Sequence, residues 1–368
     1  MTAFHAVLRR LPPLQTVVPV LALVALVLTW GRGLPIAAVI LVAALLAGAV
    51  LAAVHHAEVV AHRVGEPYGS LVLAVAVTVI EVSLIVTLMI SGGDKAATLA
   101  RDTVFSAVMI CLGGIAGLTL FTATRKGRLA HFNAEGSGGA LGTVATLATL
   151  TLVLPTFTKG QPGPEFTGGQ LAFAAVASIV LYLSFVFTQT VRHRDFFLPV
   201  SEEGTVLRES DHADPPSARA AWTSLGFLML SLVAVVGLAK VESPSIERGV
   251  VALGLPLSFV GVVIAVLVLL PESIAARNAA RKGRTQVGLN LALGSAMASI
   301  GLTIPTLAIA SIWLPVPLKL GLGATEMVLL AIAVIVSMLT IVPGRATRLQ
   351  SVVHVTLLAA YVFLAASP

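Results

Sequence analysis

The sequence has little charge and almost no cysteine. Asp, Glu, Lys and Arg make up 11% of its 368 residues, against about 25% in ordinary soluble domains. Because 57% of the residues are hydrophobic, a water-soluble globular protein is excluded. The single cysteine, Cys111, excludes a disulfide within the chain and hence a disulfide scaffold.

Long apolar runs recur along the whole chain. Most of them suit a helix that crosses a hydrocarbon core about 30 Å thick, and they are continuous rather than alternating, which disfavours an outer-membrane barrel. The sequence therefore predicts an all-α polytopic membrane protein of about eleven transmembrane helices. The runs are residues 16–30, 34–54, 69–91, 103–123, 140–157, 169–191, 220–239, 249–271, 286–312, 322–342 and 350–366.

One polar connection divides the chain into two halves. Residues 192–219 are rich in acidic side chains, which do not enter lipid: Glu202, Glu203, Glu209, Asp211 and Asp214. We expect an N-terminal segment with the first helix (1–33), a first five-helix repeat (34–191), an acidic cytoplasmic linker (192–219) and a second five-helix repeat (220–368). An odd number of helices per repeat inverts the second repeat relative to the first. Residues 77–83 and 268–273 resemble each other, which favours this plan.

The positions of the basic residues predict the orientation. If the N-terminus is cytoplasmic, sixteen of the 23 Lys and Arg residues lie on the cytoplasmic side and seven on the other, as the positive-inside rule requires. The C-terminus is then outside. Arg9 and Arg10 precede a first span that we do not interpret as a removed signal peptide. Since orientation explains the basic residues, no nucleic-acid partner is expected.

Three acidic residues fall within or at the edge of the apolar runs: Glu81, Glu272 and Glu326. No Lys or Arg lies clearly inside any run, and a buried carboxylate is costly unless it is paired or protonated. Its partner must then be mobile, such as a transported metal ion or a proton. The alternative for Glu81 is a protonated side chain bonded to a neighbouring helix. For Glu326, at the start of the tenth span, stabilisation by the helix dipole is favoured.

Other polar residues are candidates for the same site. We expect Asn290, Ser295 and Ser299 to turn oxygen atoms toward a cavity shared with the two glutamates, with Ser106 as the counterpart in the first half. Close helix packing also explains small residues in such stretches. Pro271 is expected to break the helix beside Glu272 and free backbone carbonyls, which are ligands suited to Ca²⁺ or Na⁺.

A histidine-rich stretch closes the second span. His55, Glu58 and His62 are spaced i, i+3 and i+7, which places them on one helical face. They could form a metal site. The interpretation we favour is a solvated helix end that senses cytoplasmic pH or gathers protons, since histidine changes charge near neutral pH.

Several stretches together resemble the calcium/proton exchanger family of the Ca²⁺:cation antiporter superfamily, in particular its bacterial ChaA-type sodium-potassium/calcium:proton antiporters. The stretches are residues 55–70, 78–85, 270–273, 294–299 and 323–328. The resemblance implies one extra helix followed by two inverted five-helix repeats, in a bacterial cytoplasmic (inner) membrane. It also implies that Glu81 and Glu272 are the paired cation- and proton-binding carboxylates. Where that family has Gly-Asn before each glutamate, this sequence has Val79-Ile80 and Leu270-Pro271.

These features predict a secondary antiporter rather than an enzyme. Its partners would be inorganic cations, protons and the lipid bilayer, and no bound cofactor is expected. No Walker A loop, dinucleotide-binding turn or nucleophile elbow occurs in the loops. We expect Ca²⁺ export in exchange for H⁺ by alternating access at Glu81 and Glu272, with Na⁺(K⁺)/H⁺ antiport at the same site as the alternative. A cation channel and a membrane-embedded enzyme are more remote alternatives, and the oligomeric state is left open.

Overall fold

A computed structural model describes residues 14–65, 68–201, 205, 216–313 and 317–367. Arg9 and Arg10 lie outside the described residues, and so do the five acidic residues named for the 192–219 linker: Glu202, Glu203, Glu209, Asp211 and Asp214. Within the described chain, ten helices are long and apolar enough to cross a membrane, and a shorter apolar helix precedes them. The prediction of a polytopic all-α membrane protein is confirmed.

The eleven helices follow the predicted spans in order. They are α1 (Leu14–Thr29), α2 (Ile36–Val64), α3 (Tyr68–Gly92), α4 (Leu99–Ala123), α5 (Ala134–Phe157), α6 (Gly168–Arg192), α7 (Ala218–Ala252), α8 (Phe259–Arg281), α9 (Thr285–Ala310), α10 (Ala324–Ile341) and α11 (Arg348–Ala366). Two short strands, β1 (Ala130–His131) and β2 (Arg345–Ala346), form an antiparallel pair.

Polar residues fix the starts of several helices. Asn133 precedes α5, and its side chain accepts hydrogen bonds from the backbone N–H groups of Glu135 and Gly136. Thr167 before α6 and Thr347 before α11 each form a capping box with a glutamine three residues later. Such caps satisfy the N–H groups that a helix leaves unpaired at its start.

The eighth span differs from its predicted position. Residues 249–252 still belong to α7, and a turn containing Gly254 at φ 73° separates α7 from α8. Helix α8 then continues to Arg281, ten residues beyond the predicted end. The span predicted from hydropathy ended at Pro271 because Glu272, Arg277 and Arg281 make the second half of this helix less apolar.

The chain divides into two compact units. The smaller one comprises residues up to 76 together with 215–245, and the larger one residues 77–214 and 246–368. In the smaller unit, α1 packs against α2, and His56 of α2 stacks on Phe227 of α7 at 5.2 Å between ring centroids. Lys240 lies over the Trp30 ring at 5.0 Å.

Helix α4 is the centre of the larger unit. Of its most apolar stretch 83% is buried, against at most 61% for the other spanning helices of the described chain. It packs against α8, α9 and α11. The approach of α9 is close: a Cβ added at Gly288 would lie 2.5 Å from Cγ2 of Thr119 on α4. Small residues let membrane helices pack at such distances.

Candidate functional site

A buried carboxylate on α3 is bonded to α9. Glu81 is only 2% exposed, and its Oε2 atom accepts hydrogen bonds from Ser299 Oγ at 3.1 Å and Thr303 Oγ1 at 2.9 Å. Its Oε1 atom is buried without a hydrogen-bond partner. In the described part of the chain no Lys, Arg or His bonds to this carboxylate. The second oxygen atom is thus available for a proton or a cation.

The two donors lie on either side of a break in α9. Helical structure runs over Thr285–Gly301 and resumes at Thr303, with Leu302 between. Pro305 has no N–H group to donate to the Gly301 carbonyl, so the usual i to i−4 bond is missing there. Interrupted membrane helices expose backbone oxygens that bind ions in transporters. The break therefore places candidate ligands beside Glu81.

The expectation that Pro271 breaks the helix beside Glu272 is wrong. Pro271 lies inside the continuous helix α8, which extends nine residues beyond Glu272. Neighbouring helices in a membrane protein compensate for the hydrogen bond that a proline removes. Glu272 is accordingly a half-buried residue within a spanning helix, and not a residue at its end.

A π-helical segment of α4 lies near both glutamates. The segment is Ile110–Ile115, and its Cys111 is fully buried and close enough to Glu81 and Glu272 for electrostatic interaction with both. His354 of α11 donates a hydrogen bond of 2.7 Å from Nδ1 to the Leu112 carbonyl. Single π-turns inside α-helices occur frequently at functional sites. This one brings α4 and both carboxylates into one region of the larger unit.

Of the three serines predicted as ligands, only one bonds to Glu81. Ser299 contacts Glu81 directly. Ser295 is half-buried one turn earlier on α9 and does not hydrogen-bond to Glu81. Ser106 bonds instead to the Tyr361 hydroxyl and to the Asp102 carbonyl, both at 2.5 Å.

Asn290 is not brought to the glutamates. Its Oδ1 accepts from Gln286 at 2.8 Å, and its Nδ2 donates to the Phe197 carbonyl at 2.7 Å. Gln286 also accepts a hydrogen bond from the backbone N–H of Asn133 at 2.7 Å. Nine residues separate Asn290 from Ser299, which is about 13 Å along a helix. The Asn290 amide therefore joins α9 to the segment that follows α6, and Gln286 joins α9 to the start of α5.

The histidine face lies in the smaller unit. His55, Glu58 and His62 are all exposed on α2, as the spacing predicts for one solvated face. Among the described residues, no group of three or more His, Cys, Asp or Glu side chains is arranged to hold a metal ion. The metal-site alternative for this face has no support, whereas the pH-sensing role stays a prediction.

Hydropathy missed several polar residues inside the helices. Thr303 was part of a recognised small-residue stretch, and its i+4 spacing from Ser299 was the available signal. Asp102, on α4, forms an ion pair of 2.7 Å with Arg101. Glu242, on α7, is 1% exposed. Asp102 and Glu242 were missed because the predicted spans began or ended a few residues away from them.

Comparison with known proteins identifies the family. The sequence profile of the protein family described as "sodium/calcium exchanger protein" matches residues 34–191 and 223–366 of this chain. The chain belongs to the sodium/calcium exchanger family. Among its relatives, the sodium-potassium/proton antiporter ChaA of Escherichia coli is 34% identical over 98% of each chain. The protein y4hA of Sinorhizobium fredii, named as an ionic transporter, is 43% identical over 98% of this chain and 97% of its own.

A solved structure shares the exchanger fold. The Ca²⁺/H⁺ antiporter YfkE aligns with a TM-score of 0.70 over 96% of this chain and 98% of its own, at 15% identity. That likeness concerns the fold alone. The family match, the ChaA relative and the ten apolar helices of the described chain together make this protein an integral membrane cation transporter.

Proposed function

We propose that this chain is a secondary antiporter that exports Ca²⁺ from the cytoplasm in exchange for H⁺ at Glu81 and Glu272. The observation that carries the proposal is the buried Glu81 carboxylate. Its Oε2 atom accepts hydrogen bonds from two hydroxyl groups, and its Oε1 atom has no hydrogen-bond partner. A carboxylate in that position needs a mobile positive charge. Protons and a metal ion then occupy the site in turn.

Mutually exclusive occupancy explains exchange without ATP. Two carboxylates carry two negative charges, which either one Ca²⁺ ion or two protons neutralise. The hard ligands that Ca²⁺ prefers are oxygens of carboxylates, hydroxyls and backbone carbonyls, and the region around the α9 break supplies these types. Binding of external protons releases the cation, and alternating access exposes the site to each side in turn.

The distribution of charge along the larger unit supports the orientation. One end has a cavity lined by Arg125, Arg277, Arg281 and Arg348. The other has a small cavity lined by Asp102 and Glu247. The positive-inside rule assigns the arginine-rich end to the cytoplasm, in agreement with a cytoplasmic N-terminus.

Na⁺(K⁺)/H⁺ antiport at the same site is the second candidate. ChaA, named as a sodium-potassium/proton antiporter, is 34% identical to this chain. In addition, the groups that hydrogen-bond to Glu81 are the hydroxyls of Ser299 and Thr303, and the Asn290 amide is bonded elsewhere. Fewer strongly coordinating groups favour a monovalent ion over Ca²⁺.

Everted membrane vesicles test both candidates. A dye that reports the pH gradient is followed while Ca²⁺, Na⁺ and K⁺ are added separately to wild type, Glu81→Gln and Glu272→Gln. The proposal expects Ca²⁺ to collapse the gradient in wild type and in neither variant. Glu326→Gln is the control and should remain active, because Glu326 lies in the first turn of α10. Collapse by Na⁺ or K⁺ alone contradicts the Ca²⁺ assignment, and active Glu81→Gln and Glu272→Gln variants contradict the site.

A further inference from the structure

Four arginines converge on one cavity at an end of the larger unit. Arg125 follows α4, Arg277 and Arg281 belong to α8, and Arg348 begins α11. They line a cavity of about 650 Å³ together with Leu118, Phe121 and Thr122. The four side chains are exposed, and an anion bound between arginines from three separate segments of the chain would be attracted by all of them.

The described structure supplies no acidic counter-ion. Within the described residues, none of the four arginines forms an ion pair with a carboxylate. Arg348 instead places its guanidinium 4.1 Å from the centre of the Phe121 ring, a cation–π contact that does not use its N–H donors. Arg277 and Arg281 are four residues apart on one helix face, an arrangement that destabilises a helix when the charges are alike. The guanidinium N–H groups of the four arginines are therefore available to bind a ligand.

Membrane orientation alone does not explain the arrangement. The positive-inside rule accounts for basic residues near cytoplasmic helix ends, but it does not require residues from three segments to face a common cavity. The neighbouring cavity, of about 540 Å³, shares Thr122, Arg125 and Arg281 and adds Arg128 to its lining. The positive charge is therefore concentrated in one continuous region.

We propose that the cavity lined by Arg125, Arg277, Arg281 and Arg348 binds the phosphate group of an anionic ligand. Guanidinium groups hold phosphate through paired N–H···O bonds. The apolar side chains of Leu118 and Phe121 favour a phospholipid headgroup, since its acyl chains would lie against them. Basic pockets between transmembrane helices on the cytoplasmic side are suited to anionic lipids. A soluble phosphate is the other source of the same chemistry.

Lipid binding by the purified full-length protein in detergent tests the proposal. The rise in Tm is titrated with dioleoylphosphatidylglycerol, with dioleoylphosphatidylcholine of the same chains, and with glycerol 3-phosphate. The variant Arg277→Gln/Arg281→Gln is compared with Lys282→Gln/Arg345→Gln, which removes two charges from exposed residues that do not line the cavity. We expect phosphatidylglycerol to bind about 30-fold more weakly to the arginine variant and with little change to the control.

Each outcome decides the assignment. Stabilisation by phosphatidylglycerol but not by glycerol 3-phosphate supports a lipid headgroup, whereas equal stabilisation by both supports a soluble phosphate at the same site. The variant Arg277→Lys/Arg281→Lys should retain part of the affinity, because it keeps the charge and loses the paired donors. If phosphatidylcholine acts as well as phosphatidylglycerol, or if the glutamine variant responds like wild type, the proposal is overturned.

Discussion

Thr303 donates a hydrogen bond of 2.9 Å to Oε2 of Glu81, although 222 residues separate the two along the chain. The bond joins α3, in the first half of the sequence, to the second segment of α9, in the second half. The carboxylate that we propose to bind cations therefore depends on both halves of the protein. A change at Thr303 should alter ion binding without touching the carboxylate itself.

The variant Thr303→Val should weaken cation binding about tenfold or more. A hydrogen bond to a charged group contributes about 1.5–3 kcal/mol, and each 1.4 kcal/mol is tenfold in affinity. The measurement is the cation concentration that gives half-maximal exchange in vesicles. Thr303→Ser keeps the hydroxyl and should behave like wild type. Thr306→Val is the matched control, because Thr306 donates to the Leu302 carbonyl instead; an equal loss in that variant would argue against a specific role for Thr303.

Ser299→Ala and Ser295→Ala should differ in effect. Ser299 donates to Glu81, whereas Ser295 lies one turn away and does not hydrogen-bond to it. We expect Ser299→Ala to weaken cation binding and Ser295→Ala to leave it nearly unchanged. The measurement is the cation concentration that gives half-maximal exchange in vesicles. Equal effects of Ser299→Ala and Ser295→Ala would contradict a direct interaction of Ser299 with the site.

The close approach of α9 to α4 predicts a contrast between two glycines of α9. A Cβ at Gly288 would lie 2.5 Å from Thr119, while nothing lies within 4 Å of the same atom at Gly294. Gly288→Ala should lower the free energy of unfolding by about 1–3 kcal/mol through overpacking. Gly294→Ala should raise it by up to about 1 kcal/mol, since alanine favours a helix.

Thermal unfolding in detergent measures both glycine variants. Adding Thr119→Ala to Gly288→Ala should restore part of the lost stability, because it removes the Cγ2 and Oγ1 atoms nearest to the added Cβ. The close packing would be refuted by equal stability of the two single variants.

The exposed histidine face predicts a change in pH dependence. Histidine is the side chain that ordinarily changes charge between pH 5 and 8, and His55 and His62 are both exposed on α2. The variant His55→Ala/His62→Ala should shift the pH profile of exchange and leave the maximal rate nearly unchanged. His193→Ala, at another exposed histidine, is the control. An unchanged profile in the double variant would show that this face does not sense pH.

The helices and one carboxylate could be predicted from sequence because both depend on local properties. Continuous apolar runs define spans regardless of their neighbours, and Glu81 is conspicuous within such a run. Partners could not be predicted in the same way. The Asn290 amide bonds to Phe197, and Ser106 to Tyr361, and those contacts depend on how distant helices pack.

The position of the break in α9 could not be predicted from the sequence either. Pro271 and Pro305 both lie within helical segments, yet the interruption occurs before Pro305 and not at Pro271. Next to the α9 break, a Cβ at Gly301 would lie 2.8 Å from the Tyr182 side chain of α6. A proline alone removes one hydrogen bond, and whether the helix continues depends on the packing around it.

Proton release on cation binding tests the central claim most directly. Purified protein in weakly buffered detergent solution is titrated with Ca²⁺, and bound Ca²⁺ and released protons are measured together in wild type, Glu81→Gln, Glu272→Gln and the control Glu326→Gln. We predict that wild type and Glu326→Gln release protons in proportion to the Ca²⁺ bound, and that the other two variants neither bind Ca²⁺ nor release protons. Binding of Ca²⁺ to wild type without proton release, or unchanged release in Glu81→Gln, would contradict exchange at a shared carboxylate site.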